Sequence, residues 1–204
     1  MSAFAAEILR TSGEHVLIVL IAVAAAIVIG IPLAIYCTRH AGAARIALRL
    51  IDAIQTIPSL ALFGFLIPVP LIGGIGMRTA IVALILYSLL PIVRNTFTGI
   101  RGVDPVVRDA GVALGLTPRQ LLMQVELPLA MPTIVAGIRI ATVVGIGVAT
   151  IAAAVGGGGL GTFIFRGVAM VDTRLILAGA LPAAALALIA DAVLSAVERK
   201  LVRQ

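Results

Sequence analysis

The chain has 204 residues, 61% of them hydrophobic and only 12% charged, with a mean hydropathy of +1.21. A soluble domain carries about 25% charged residues, so this composition excludes an ordinary water-soluble fold and places the chain in lipid. The net charge of +6 does not point to nucleic acid, because there is a single Lys, no basic arm, and the Arg residues stand singly at the ends of apolar runs, as membrane-topology charges do.

Spanning segments must satisfy their backbone internally, as helices or as a closed barrel. The apolar runs here are long and continuous rather than alternating, which selects helices. The N-terminal stretch carries Glu7 and Glu14 rather than a basic start, so the run behind it reads as an uncleaved first helix and not as a secretory signal. That first span covers residues 16–38, uncharged throughout and long enough for a bilayer that needs about 20 residues. Cys37, the one cysteine, lies inside it and reads as a small packing residue. The second span covers 49–67. Pro68, Pro70, Gly73, Gly74 and Gly76 follow as an uncharged turn region. The third span covers 78–97, and a polar loop occupies 99–130. The fourth span covers 131–155, a Gly-rich loop runs on to Arg174, and the fifth span covers 175–197.

Five spans put the two ends on opposite sides. With the N-terminus outside, Arg39, Arg45, Arg49, Arg94, Arg101, Arg108, Arg119, Arg139, Arg199, Lys200 and Arg203 fall inside, against Arg10, Arg78, Arg166 and Arg174 outside. The bias favours an outer N-terminus and a cytoplasmic C-terminus, with the 99–130 loop in the cytoplasm.

That loop has its own helix punctuation. Asp104 can cap a helix with Pro105 at its first position. Val106, Ala110, Ala113 and Leu114 share one face of that helix. Gly115 suits the left-handed residue at its end. Thr117, Pro118 and Gln120 form a capping box for a second helix, with Leu116 and Leu121 as a hydrophobic staple. Pro128 ends the second helix or begins the next. Two short helices joined at a glycine make a knob suited to docking.

Other features leave more than one reading open. Gly137, Ala141, Gly145, Ala149 and Ala153 recur every four residues in the fourth span; such a stripe serves close packing within the chain, or lines a pathway or subunit contact. Asp52 and Asp191 are the acids within spans. Each is either an interfacial ion pair, Asp52 with Arg49 for instance, or part of a gate. Gln55, Thr56, Ser59, Tyr87, Ser88 and Asn95 are polar at membrane depth and either line a pathway or bond helix to helix.

Catalysis finds no support. Gly156–Gly159, Leu160 and Gly161 formally match a dinucleotide fingerprint but follow a span rather than a strand, so they read as a flexible extracellular turn. No phosphate-binding G-x-x-x-x-G-K-[ST] loop occurs, so ATP hydrolysis is not expected on this chain. His15 and His40 lie at opposite ends of the first span, and no metal site is expected.

Within the polar loop, Asp109-Ala110-Gly111, then Gly115, then Val125-Glu126-Leu127-Pro128 resemble the EAA loop of ABC importer permeases. The stretches 54–68 and 145–161 are similar to permeases of quaternary-ammonium osmoprotectant importers, whose substrates include glycine betaine, proline betaine, carnitine and choline. The resemblance spans about residues 15–200. It implies an all-α membrane protein of five transmembrane helices, of the methionine-importer type, with a two-helix cytoplasmic coupling loop. It implies a permease subunit in a bacterial plasma or inner membrane. Its partners would be a second permease subunit, identical or related, two ABC ATPase subunits that bind ATP and Mg, and an extracytoplasmic substrate-binding protein. No cofactor is implied on this chain. The implied coupling residues are Asp109, Ala110, Gly111, Gly115, Leu116, Thr117, Pro118, Glu126 and Pro128. The sequence departs from the family pattern at Asp109, where Glu is usual, and at Gly111, where Ala is usual; glycine weakens a helix by about 1 kcal/mol relative to Ala. A permease for another small solute such as an amino acid, a secondary transporter and a non-transporting scaffold are the competing readings. A secondary transporter would need buried ion-coupling acids at the centre of the membrane, and a scaffold would not need a capped knob.

Overall fold

The computed structural model describes residues 3–70 and 72–202, all of whose regular structure is helical. Arg203, counted among the inner charges, lies outside the described residues. In chain order the helices are α1 (Ala3–Arg39), α2 (Ala41–Thr56), α3 (Ser59–Leu66), α4 (Met77–Arg101), α5 (Pro105–Ala113), α6 (Pro118–Leu121), α7 (Leu127–Ile151), α8 (Gly161–Met170) and α9 (Thr173–Val202). A π-helical turn, Leu122–Glu126, joins α6 to α7, and a 3₁₀ turn, Ala152–Val155, extends α7. Four segments are long and apolar enough to cross a membrane: Ala3–Arg39, Met77–Arg101, Pro118–Val155 and Thr173–Val202. The pair α2 and α3 makes a fifth if taken together.

That pair corrects the sequence reading of one continuous second span over 49–67. The two helices meet at an angle of 103°. The cause is Pro58, which lacks an N–H to continue the helix and forces the residue before it out of the helical region. Ile57 accordingly adopts φ −72° and ψ 126°. The bend is braced from α4: the Gln55 side-chain amide donates to the Tyr87 carbonyl at 2.9 Å, and the Tyr87 hydroxyl donates to the Ile57 carbonyl. Arg45 and Arg49 therefore sit on α2 itself rather than ahead of a span.

The packing centre is α4. Its Ala80, Ala83, Leu84, Ile92 and Val93 are fully buried between α1, α3 and α7. Close approach there depends on small residues. A Cβ on Gly137 would stand 2.6 Å from the Asn95 Cβ, and one on Gly30 would stand 3.1 Å from the Ile92 side chain. Ala141 packs in a cluster with Ala26 and Ile92, and Ala149 in one with Ile18 and Leu84. The four-residue stripe on α7 thus serves packing within the chain. By contrast α9 buries only Gly179 and Ala183 and leaves Leu181, Leu188, Ile189 and Val193 exposed.

The region after α7 is a second correction. The sequence suggests a flexible loop there. Instead Gly157, Gly159, Leu160 and Gly161 are buried, and α8 follows at once. Gly156, Gly158 and Gly159 take φ of 75°, 78° and 73°. The turn carries the chain back beneath α1: a Cβ on Gly159 would stand 2.9 Å from His15 Nδ1, and one on Gly157 would stand 2.8 Å from Ala80 Cβ. His15 is fully buried, with Nε2 3.0 Å from the Ile146 carbonyl. Backbone density, not looseness, is why the segment is glycine-rich.

Candidate functional site

The 99–130 segment assembles from local rules. The Asp104 carboxylate accepts from the Val106 N–H at 2.8 Å, and Pro105 opens α5 without an N–H to waste. At the other end Gly115 has φ 80°. Its N–H donates to the Val112 carbonyl, and that of Leu116 to the Gly111 carbonyl. This crossed pair is the Schellman closure expected of a glycine stop. Thr117 and Gln120 form the reciprocal capping box that starts α6, with Pro118 at its first turn.

The knob differs from the expected two short helices. The second helix does not end. It passes through the π-helical turn into α7, so the helix that begins at Pro118 runs on to the far side of the chain. Pro128 does not stop it but stands in the first turn of α7. The Leu127 N–H bonds five residues back, to the Leu122 carbonyl. This change of hydrogen-bond register immediately precedes the proline whose N–H is missing.

The outer side of α5 is apolar and open. Val106, Val112 and Leu114 are 73%, 58% and 83% exposed, and Ala110 and Ala113 are exposed beside them. Asp109 is also exposed, and its carboxylate makes no hydrogen bond or ion pair among the described residues. On its inner side α5 buries only Gly111. A Cβ there would stand 2.7 Å from Leu121 Cδ1 and 3.4 Å from Leu116 Cδ1. The lack of a side chain at Gly111 lets α5 rest directly on Leu116 and Leu121.

Behind this face lies Glu126, with no exposed surface. Arg108 Nε donates to its Oε1 at 2.8 Å, and Arg39 Nη2 donates to its Oε2. A second N–H of Arg108 donates to the Ile100 carbonyl at 2.9 Å. A buried carboxylate is tolerable only when paired and hydrogen-bonded in this way. Sequence reasoning placed Glu126 in the loop motif but missed both arginines as its partners. The signal was available in part: a lone acid within LLMQVELPLA demands a cation, but nothing local says which one.

Of the polar residues read at membrane depth, Gln55, Thr56, Tyr87 and Asn95 donate to backbone carbonyls. Gln55 and Tyr87 brace the α2–α3 bend. The Thr56 hydroxyl donates to the Ala53 carbonyl at 2.7 Å, and the Asn95 amide to the Pro91 carbonyl at 2.8 Å. Ser88 is buried on α4, and Ser59 is half-buried at the start of α3. The span acids are ion-paired, though Asp52 pairs with Arg94, in a two-pronged contact of 2.7 and 2.8 Å, and not with Arg49. Asp191 lies 3.8 Å from Arg139, which also meets Glu198 at 3.5 Å, joining α7 to α9.

Residues 12–203 match the family described as binding-protein-dependent transport system inner membrane component. The chain belongs to this family. It is a multi-pass membrane protein and a permease subunit of an ABC importer. Its relatives include the choline transport system permease protein OpuBB of Bacillus subtilis, 46% identical over 96% of this chain and 88% of that protein. The osmoprotectant import permease protein OsmW of Salmonella typhimurium is 47% identical over 87% and 84% of the two chains. The carnitine transport permease protein OpuCD of Listeria monocytogenes is 47% identical over 92% and 83%. The fold is that of a permease in inward-facing structures of the MetNI methionine ABC transporter, with a TM-score of 0.88 at 23% identity over 98% of this chain and 99% of that one.

Proposed function

We infer that this permease forms, with a second permease subunit, the translocation pathway of an ATP-driven importer for a quaternary-ammonium osmoprotectant such as glycine betaine, carnitine or choline. The observation that carries the substrate class is the identity of 46–47% with permeases named for choline, carnitine and osmoprotectants, over most of each chain. The whole chain serves as one transmembrane domain with an outer N-terminus and a cytoplasmic C-terminus, the orientation that the inner excess of Arg and Lys favours. The exposed side chains of α9 meet membrane lipid.

The exposed apolar face of α5, with Asp109 at its edge, docks on the ATPase subunit, where ATP and Mg are bound. Gly115 and the box at Thr117 hold α5 at its angle to the long helix. Glu126 and Pro128 lie behind the face and transmit rather than touch. When the ATPase pair closes on ATP, α5 is displaced and the spans change from inward- to outward-open. A solute held differently by the two states is thereby carried across.

Quaternary ammonium groups are recognised by aromatic cages. This chain has no Trp and two Tyr. Tyr87 is buried against the α2–α3 bend, and Tyr36 stacks on His40 with ring centroids 4.2 Å apart. Selection by a cage therefore belongs to the substrate-binding protein, and the permease passes what is delivered. The test is uptake of labelled glycine betaine, choline and an anionic amino acid into vesicles holding the complete complex. ATP-dependent entry of at least one quaternary ammonium is expected. Entry of the anionic amino acid alone would leave an importer and overturn the substrate class.

A further inference from the structure

The buried carboxylate of Glu126 stands where four elements meet, and this has a consequence for how force crosses the molecule. Arg39 is the last residue of α1, Arg108 lies in α5, and the Ile100 carbonyl that Arg108 also engages lies in the last turn of α4. Glu126 itself closes the π-helical turn that leads into α7. Among the described residues it is the one carboxylate with no exposed surface.

The knob has little else to hold it. Apart from Gly111, no residue of α5 is buried, so apolar packing alone ties this helix weakly to the bundle. We propose that Glu126, gripped by Arg39 and Arg108, is the positioning residue that makes α5 and the ends of α1, α4 and α7 move together, converting displacement of the docking helix into movement of the spans. This rests on the importer reading above, and it adds the device by which the docked loop drives the pathway. Two features of the geometry suit the task. The carboxylate has two cationic partners, so one arm can part while the other keeps the buried charge paired. The π-helical turn beneath it is also a point where a helix can change register without breaking.

Arg39 is the cleaner place to cut the node, because its side chain is 40% exposed and its loss opens no sealed cavity. The complex, with its ATPase subunits and binding protein, would be reconstituted in vesicles carrying Arg39→Gln, Arg39→Lys or Glu126→Gln. Uptake of labelled choline and glycine betaine would be measured beside ATP hydrolysis in the same vesicles. Arg39→Gln and Glu126→Gln should assemble but import about fivefold or more less solute per ATP hydrolysed. Arg39→Lys, which keeps the charge, should restore most of the yield per ATP. A merely structural node would lower the amount of assembled complex and leave solute per ATP unchanged in what assembles; that result for Arg39→Gln overturns the proposal, whether or not Glu126→Gln assembles. A wild type that hydrolyses ATP without driving any uptake would overturn the importer reading and this one together. A coupled wild type beside an equally coupled Arg39→Gln overturns this one alone.

Discussion

The two ends of the long helix that contains α7 are both shaped by glycine, for different reasons. At the knob, Gly115 has φ 80° and open space where a Cβ would be. Only its backbone angle requires glycine. At the opposite end, Gly161 has an ordinary φ, but a Cβ would run into the Thr150 carbonyl and stand 2.9 Å from Ala153 Cβ. There the requirement is space. Gly159 combines the two constraints, with φ 73° and His15 pressed against it. One end is an exposed device built from local rules, and the other is a dense turn built by tertiary contact.

The largest effect expected from this contrast belongs to Gly161→Ala. Backbone and the neighbouring Ala153 cannot rotate out of the way, so the added methyl should cost about 3 kcal/mol, at the upper end of ordinary overpacking. The expected outcome is loss of folded, membrane-inserted protein on mild heating in detergent. Wild-type heat resistance would show that the turn is looser than described.

A smaller and different effect is expected for Gly115→Val. A β-branched residue at this left-handed position strains the backbone by about 1–3 kcal/mol, but nothing surrounds it to clash. The protein should insert normally while losing ATPase association and uptake, because α5 would meet the long helix at the wrong angle. Gly115→Asn, which tolerates the left-handed region, should retain most of both. Full uptake by the Val variant would remove the knob from the coupling path.

The smallest perturbation tests which end faces which compartment. Gln120 is exposed at the knob, and Ile75 is 80% exposed beside the glycine turn. Ile75 is preferable to Gly74, whose φ of 110° would strain a cysteine. Single cysteines at 120 and 75, in a Cys37→Ala background, should change stability by no more than about 0.5 kcal/mol. An impermeant thiol reagent applied to intact cells should modify position 75 and spare position 120. Modification of position 120 from outside would invert the orientation.

Sequence alone determined what depends on composition and on neighbours along the chain. Hydropathy set the class and located the first, third, fourth and fifth spans, though the helices outrun them, since an apolar count does not register the ends of a helix in the membrane interface. The caps at Asp104, Gly115 and Thr117 were legible because each signal and its partner lie within a few residues. Tertiary structure decided what depends on residues distant in sequence. The second span read as continuous, and the 103° bend at Pro58 takes its form from the bracing of Gln55 and Tyr87 across α4. The glycine turn looked mobile because glycine denotes freedom and close approach equally well, and only the arrival of His15 and Thr150 separates the two. The pairing of Asp52 with Arg94, both partly exposed, and of buried Glu126 with Arg39 and Arg108 was likewise invisible: only the packing of helices chooses which cation comes within reach of an acid.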